Sequence, residues 1–117
     1  MSKIYQVILK MIENTDKISN AVEGDSDEVF FLYNAKYCWS VLRQSGSGKY
    51  AIYYYPENSP GELTNVIDWE DVKLVAYTEK EIPEEDAQRK LHQLYKILRD
   101  KVASEADVIL DEILADD

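Results

Sequence analysis

Near the N-terminus, hydrophobic residues recur at the spacing of an amphipathic helix. Between residues 3 and 22 they return every three or four positions, and Thr15 fills the one polar gap in the stripe. Ser2 is a suitable N-cap and Gly24 a suitable C-terminal stop, so the pattern predicts one helix over 3–22. A break near Asn14 and Thr15 is the alternative, because both residues favour caps and turns. The stripe consists of Ile4, Ile8, Met11, Ile18 and Val22.

Residues 29–55 have the alternation and the aromatic and β-branched residues that are typical of strands. The segment Ser45–Gly48 predicts a hairpin turn, because glycine adopts positive φ at no steric cost. Residues 34–36 predict a second turn, and Pro56 ends the last strand, since proline cannot donate to a sheet ladder. Three strands are expected here, over Val29–Tyr33, Tyr37–Gln44 and Tyr50–Tyr55.

A polar connection and a fourth strand follow. Residues 57–71 are interpreted as a loop, because they open with a proline- and glycine-containing turn. Val72–Tyr77 predicts a short strand from its β-favouring residues. With consecutive strands and short connections, the sheet is expected to be mostly antiparallel.

Helical spacing returns after Pro83, a residue that the first turn of a helix tolerates. The apolar repeat predicts a helix over 84–102. Ser104 and Asp107 resemble a capping box, which predicts a separate helix over 105–115. One continuous helix is the alternative, because no glycine or proline forces a break.

Together these elements predict a single α+β domain over residues 1–117. It has an N-terminal helix, a mostly antiparallel sheet of about four strands, and two C-terminal helices packed on one sheet face. The length of 117 residues suits one domain. No internal repeat or linker divides the chain.

The charge is strongly acidic and unevenly distributed. The formal net charge is −10, from 23 acidic and 13 basic residues. Residues 57–86 contribute −8 and residues 102–117 contribute −6, whereas residues 87–101 contribute +4. Binding to nucleic acid and to anionic membranes is therefore not expected, because both depend on Lys and Arg. No signal-peptide pattern or disulfide partner is present, so a cytoplasmic location is expected.

We find no constellation that predicts catalysis. Cys38 is the only cysteine and His92 the only histidine, and no third group is indicated that would complete a nucleophilic site. The acidic loop at 24–27 lacks the later ligands of a calcium loop, and Lys49 follows a glycine without the frame of a phosphate-binding loop. No cofactor, metal site or enzymatic activity is expected.

The clearest anomaly is the clustering of aromatic residues. Nine of the 13 aromatic residues lie between residues 30 and 55. Alternation places Tyr53 and Tyr55 on one face of their strand, and Tyr50 and Tyr54 on the other. The rings either complete the core or form a recognition surface, for which Tyr and Trp are well suited.

The leading hypothesis is a non-enzymatic protein-interaction module, for example an acidic inhibitor or immunity-like protein. It would bind a basic protein partner through the Tyr-rich hairpin and the acidic loop, using charge complementarity for rapid association. The alternative is a small-molecule-binding domain with a pocket between sheet and helices. Either is compatible with a homodimer. The candidate partner-binding residues are Trp39, Tyr53, Tyr55, Trp69, Glu70 and Asp71.

Overall fold

The structure is a computed structural model and describes residues 1–116. Three helices and five strands follow one another along the chain, with 3₁₀ turns at Thr15–Lys17 and Trp69–Asp71. In chain order they are α1 (Lys3–Glu13), β1 (Ile18–Glu23), β2 (Glu28–Tyr33), β3 (Tyr37–Arg43), β4 (Tyr50–Tyr55), α2 (Pro60–Leu63), β5 (Val75–Tyr77) and α3 (Ala87–Ala115).

The strands form one sheet in the order β1-β2-β3-β4-β5, and all neighbours are antiparallel. The α+β class, the N-terminal helix and the antiparallel sheet are thus confirmed. The predicted hairpin pairs Cys38 with Tyr55 and Arg43 with Tyr50. In its turn, Gly48 has the positive φ, at 73°.

The prediction of one helix over 3–22 is wrong in its second half, because α1 ends at Glu13 and residues 18–23 form the edge strand β1. Asn20 has φ of 53°, and the pairing register shifts between Ser19 and Val22. Such a bulge inserts an extra residue into a strand. The buried positions are therefore Ile18 and Ala21, whereas Val22 of the predicted stripe is only partly buried.

The second half of the chain also differs from its prediction. The segment 57–71, interpreted as a loop, contains the short helix α2 and a 3₁₀ turn. The fourth predicted strand is shorter, since only Val75–Tyr77 pairs, and it is the fifth strand of the sheet. In place of the two predicted C-terminal helices there is one continuous helix, α3, which was the alternative prediction. Ser104 lies inside this helix, so the apparent capping box does not start a new one.

Helices α1 and α3 cover one face of the sheet and enclose the main core. Ile8 and Met11 of α1 and Leu94 and Leu98 of α3 are fully buried against inward-facing residues of the strands. The strand residues in this core are Ile18, Ala21, Val29, Phe31, Val41, Tyr50 and Ile52. Among residues 1–116, no helix has both the length and the apolarity to cross a membrane.

The opposite face of the sheet is covered by the connection between β4 and β5. Leu63 of α2 is buried there with Phe30, Cys38 and Tyr55, and Val66 packs against them. Both faces of the Tyr-rich hairpin therefore take part in a core.

Both long helices run across the sheet towards its β1 edge. Helix α3 begins at β4, where Gln88 bonds to the backbone of Tyr50, and α1 leads through the 3₁₀ turn at Thr15–Lys17 into β1. The Ser2 hydroxyl donates to Glu84 at 2.7 Å and the Tyr5 hydroxyl donates to Asp86 at 2.6 Å, which joins the start of α1 to the segment before α3. Further along α3, Arg99 forms an ion pair with Glu23 at the end of β1. The rest of α3 therefore continues past the edge of the sheet.

Candidate binding surfaces

The structure divides the six predicted partner-binding residues between the two faces of the sheet. Trp39 lies on the helix-covered face, half-buried. Tyr53 and Tyr55 lie on the opposite face, beneath the β4–β5 connection. Tyr55 is only 2% exposed and cannot touch a partner in this conformation. Trp69, Glu70 and Asp71 remain together at the surface.

One exposed stretch of that connection is acidic, and we define residues 67–71 as the acidic ridge. All five residues are exposed, and Ile67 is fully exposed to solvent. The Trp69 ring lies parallel to Phe30, with ring centroids 6.3 Å apart, and also approaches Tyr55 at 6.4 Å. Trp69 is thus held by the core below while part of its ring faces solvent.

No carboxylate of the acidic ridge is neutralised by a base among residues 1–116. Asp68 accepts a hydrogen bond from the Glu70 backbone N–H at 3.0 Å, which shapes the 3₁₀ turn. The nearest lysine in sequence, Lys73, pairs instead with Glu57 at 3.0 Å. The ridge therefore combines two exposed apolar side chains with three uncompensated negative charges.

A partly buried carboxylate, Glu28, lies near the ridge. Glu28 Oε2 accepts hydrogen bonds from the Ser40 hydroxyl at 2.7 Å and from the Tyr55 hydroxyl at 3.2 Å. Burial raises the pKa of Glu28, although the two hydrogen bonds oppose the shift. A small cavity of about 130 Å³ lies between this group and Trp69. Sequence reasoning missed Glu28, because an acidic residue at the end of a polar loop resembles a solvated one.

A large groove lies on the other face, between α1 and the ends of β2, β3 and β4. This α1 groove has a volume of about 820 Å³. Trp39 and Tyr54 form part of its floor, with ring centroids 4.9 Å apart. The Trp39 indole N–H is buried without a hydrogen-bond partner. Val7 and Met11 of α1 add further apolar lining.

The rim of the α1 groove is basic. Lys3, Lys10 and Lys17 line it at intervals of seven residues, and no acidic side chain does. None of the three lysines forms an ion pair within the described part of the chain. The groove rim is therefore positively charged, although the protein as a whole has a net charge of −10.

The two groups considered for nucleophilic chemistry are not brought together. Cys38 is buried on the face covered by α2, and burial raises the pKa of its thiol to about 12. His92 belongs to α3 on the opposite face, where its Nδ1 is 2.6 Å from the Tyr50 hydroxyl. No group of three or more potential metal ligands occurs among residues 1–116.

Comparison with known proteins adds no relative to this picture. No family model matches the sequence, and no curated protein and no solved structure shows significant similarity to the chain. The fold and its surfaces define a small α+β protein with an acidic apolar ridge on one side and a basic aromatic groove on the other.

Proposed function

We propose that the protein is a protein-interaction module that binds a basic partner through the acidic ridge. The observation that carries this proposal is the exposure of Ile67 and Trp69 among Asp68, Glu70 and Asp71. An inhibitor or immunity-like protein that covers a basic site is one form of such a module.

The two apolar side chains suit the role of anchors. Interfaces are enriched in aromatic residues, and a few central side chains supply most of the binding energy. Trp69 is already ordered by its contacts with Phe30 and Tyr55, so that binding would fix little further rotamer freedom.

The carboxylates suit the role of steering groups. Charge complementarity raises the association rate and rejects partners of the same sign. Because no base of the described chain pairs with Asp68, Glu70 or Asp71, their charges are free to meet lysine and arginine side chains.

The test is affinity capture from a nuclease-treated lysate with three baits: the wild type, the double variant Glu70→Lys/Asp71→Lys, and the control Glu85→Lys/Asp100→Lys. Both variants change the net charge by the same amount at exposed positions. We expect one stoichiometric protein that the wild type and the control retain and the ridge variant loses. Circular dichroism should show that all three baits are folded.

Two results would contradict the proposal. One is that no protein is retained by any folded bait at low salt. The other is that the ridge variant retains the same proteins as the control, which would show that general acidity, rather than the ridge, attracts them.

A second candidate function is small-molecule binding in the α1 groove. Its volume of about 820 Å³ lies within the range of about 300–1,000 Å³ that is typical of ligand sites. Stabilisation of the wild type by one metabolite class in a thermal-shift screen, lost in Trp39→Ala, would support this function. A screen without a stabilising compound would remove its support.

A further inference from the structure

The end of α3 is an amphipathic helix that packs against nothing in the described chain. Every residue from Ala103 to Ala115 is exposed. Because α3 passes the β1 edge after Arg99, this segment projects from the body of the protein. Its apolar stripe follows helical spacing and comprises Ala106, Ile109, Leu110, Ile113 and Leu114.

Acidic residues border this stripe on both sides. On a helical projection, Glu105 and Glu112 lie along one border and Asp107 and Asp111 along the other. No basic residue occurs between 102 and 117. The helix end thus presents an apolar strip between two rows of negative charge.

The α1 groove presents the complementary pattern. Its apolar floor contains Trp39 and Tyr54, and its rim carries Lys3, Lys10 and Lys17. Lys3 and Lys10 lie seven residues apart on α1, as do Glu105 and Glu112 on α3, and Lys17 follows in the 3₁₀ turn after α1. Seven residues span about 10 Å along a helix, so these two pairs of charges have a common repeat.

We propose that the helix end of one copy lies in the α1 groove of a second copy, forming a reciprocal dimer. Since α1 and α3 run in the same direction, the helix end projects past the C-terminal end of α1. A two-fold axis perpendicular to the helices reverses the direction of the second copy, so that its α1 runs antiparallel to the inserted helix. Each copy then gives one helix end and receives another, as closed two-fold symmetry requires.

Other arrangements satisfy fewer of these features. Pairing of two helix ends with each other would bring rows of carboxylates together, which is unfavourable. The helix end cannot enter the groove of its own chain, because α3 is continuous and extends away from it. A small molecule in the groove would leave the apolar stripe of α3 in water.

The first test compares two matched substitutions by sedimentation of the full chain between about 1 μM and about 1 mM. Ile109 belongs to the stripe and is 58% exposed, whereas Val108 points to the other side of the helix and is 57% exposed. We expect Ile109→Asp to raise the dimer dissociation constant at least about tenfold, because it puts a charge into an apolar contact. Val108→Asp should leave the constant within about threefold of the wild type.

The second test exchanges the charges. Lys3→Glu/Lys10→Glu and Glu105→Lys/Glu112→Lys should each weaken the dimer, and the chain that carries all four substitutions should recover it. This contact does not involve the acidic ridge, so Glu70→Lys/Asp71→Lys should leave the dimer intact. Failure of the dimer and failure of the ridge proposal are therefore distinguishable.

Three results would overturn the dimer. One is a wild-type chain that stays monomeric at about 1 mM. Another is a dimer that responds equally to Ile109→Asp and Val108→Asp, or that the four-fold charge exchange does not restore. The third is a monomeric chain whose groove takes a small molecule in a Trp39-dependent manner.

Discussion

Among single residues, Gly24 is constrained by its neighbour Phe30, whose ring leaves no room for a side chain at position 24. A Cβ atom at Gly24 would lie 2.5 Å from the Phe30 ring. Phe30 is buried and stacked on Trp69, so the ring cannot move aside freely. The glycine is needed for this contact rather than for ending a helix.

We therefore expect Gly24→Ala to lower the free energy of unfolding by about 1–3 kcal/mol, the usual cost of overpacking. The control is Gly46→Ala, because a Cβ at Gly46 would meet no atom within 4 Å. Urea denaturation of the two variants measures the difference. Equal stabilities would contradict the contact.

Glu28 gives a pH dependence whose sign follows from its burial. Its folded-state pKa is raised above the ordinary value of 4.5, so the folded protein holds this proton to higher pH than the unfolded chain does. The contribution of Glu28 to stability is therefore greatest below about pH 4.5 and falls as pH rises through the folded-state pKa.

Glu28→Gln removes this titration and keeps an oxygen that can accept the bonds from Ser40 and Tyr55. We expect the stability of the variant relative to the wild type to increase between about pH 4 and about pH 8. Chemical denaturation across that range measures it. A difference that stays constant, or decreases, with rising pH would show that the Glu28 pKa is not raised by folding.

At the scale of elements, α3 combines two halves with different roles. Leu98 is fully buried in the main core, whereas Val108 lies in the projecting half. We expect Leu98→Ala to cost about 2–5 kcal/mol, because it removes buried methyl groups and leaves a cavity. Val108→Ala should change stability by no more than about 0.5 kcal/mol. Equal costs in urea denaturation would mean that the helix end packs against the body.

Elements specified by local signals could be predicted from the sequence. The hairpin turn at Ser45–Gly48, the alternation of β3 and β4 and the amphipathic start of α1 all depend on neighbouring residues. The strand β1 could not, because Ile18 and Val22 stand at a helical interval in the sequence, and the bulge at Asn20 buries Ala21 instead of Val22. The sequence could not decide whether α3 is one helix or two. The capping pattern at Ser104 and Asp107 favoured two helices, whereas the absence of glycine and proline favoured one.

The candidate surfaces could be predicted only in part. Local charge and aromatic content indicated Trp69, Glu70 and Asp71 without knowledge of the fold. The burial of Tyr55 could not be foreseen, because it depends on where the β4–β5 connection packs. The α1 groove was missed for a similar reason, since its lysines come from α1 and its rings from distant strands.

At the scale of the whole molecule, charge is separated rather than mixed. The acidic ridge covers one side of the sheet, the basic groove lies on the other, and the acidic end of α3 projects from the edge. Such separation lets one small domain present surfaces of opposite sign to different partners. Proposed binding to a basic protein and proposed pairing of two copies therefore need not compete.

Recognition through the acidic ridge is best tested by the association rate constant of the wild type with the captured partner, measured as salt is raised. Between about 0.1 M and about 1 M salt the screening length falls from about 10 Å to about 3 Å. We expect the rate constant to fall over this range. We also expect Glu70→Lys/Asp71→Lys to lower the rate constant at least about tenfold at the lower salt, while the control Glu85→Lys/Asp100→Lys does not. A rate constant that is independent of salt and equal in all three proteins would contradict recognition through the acidic ridge.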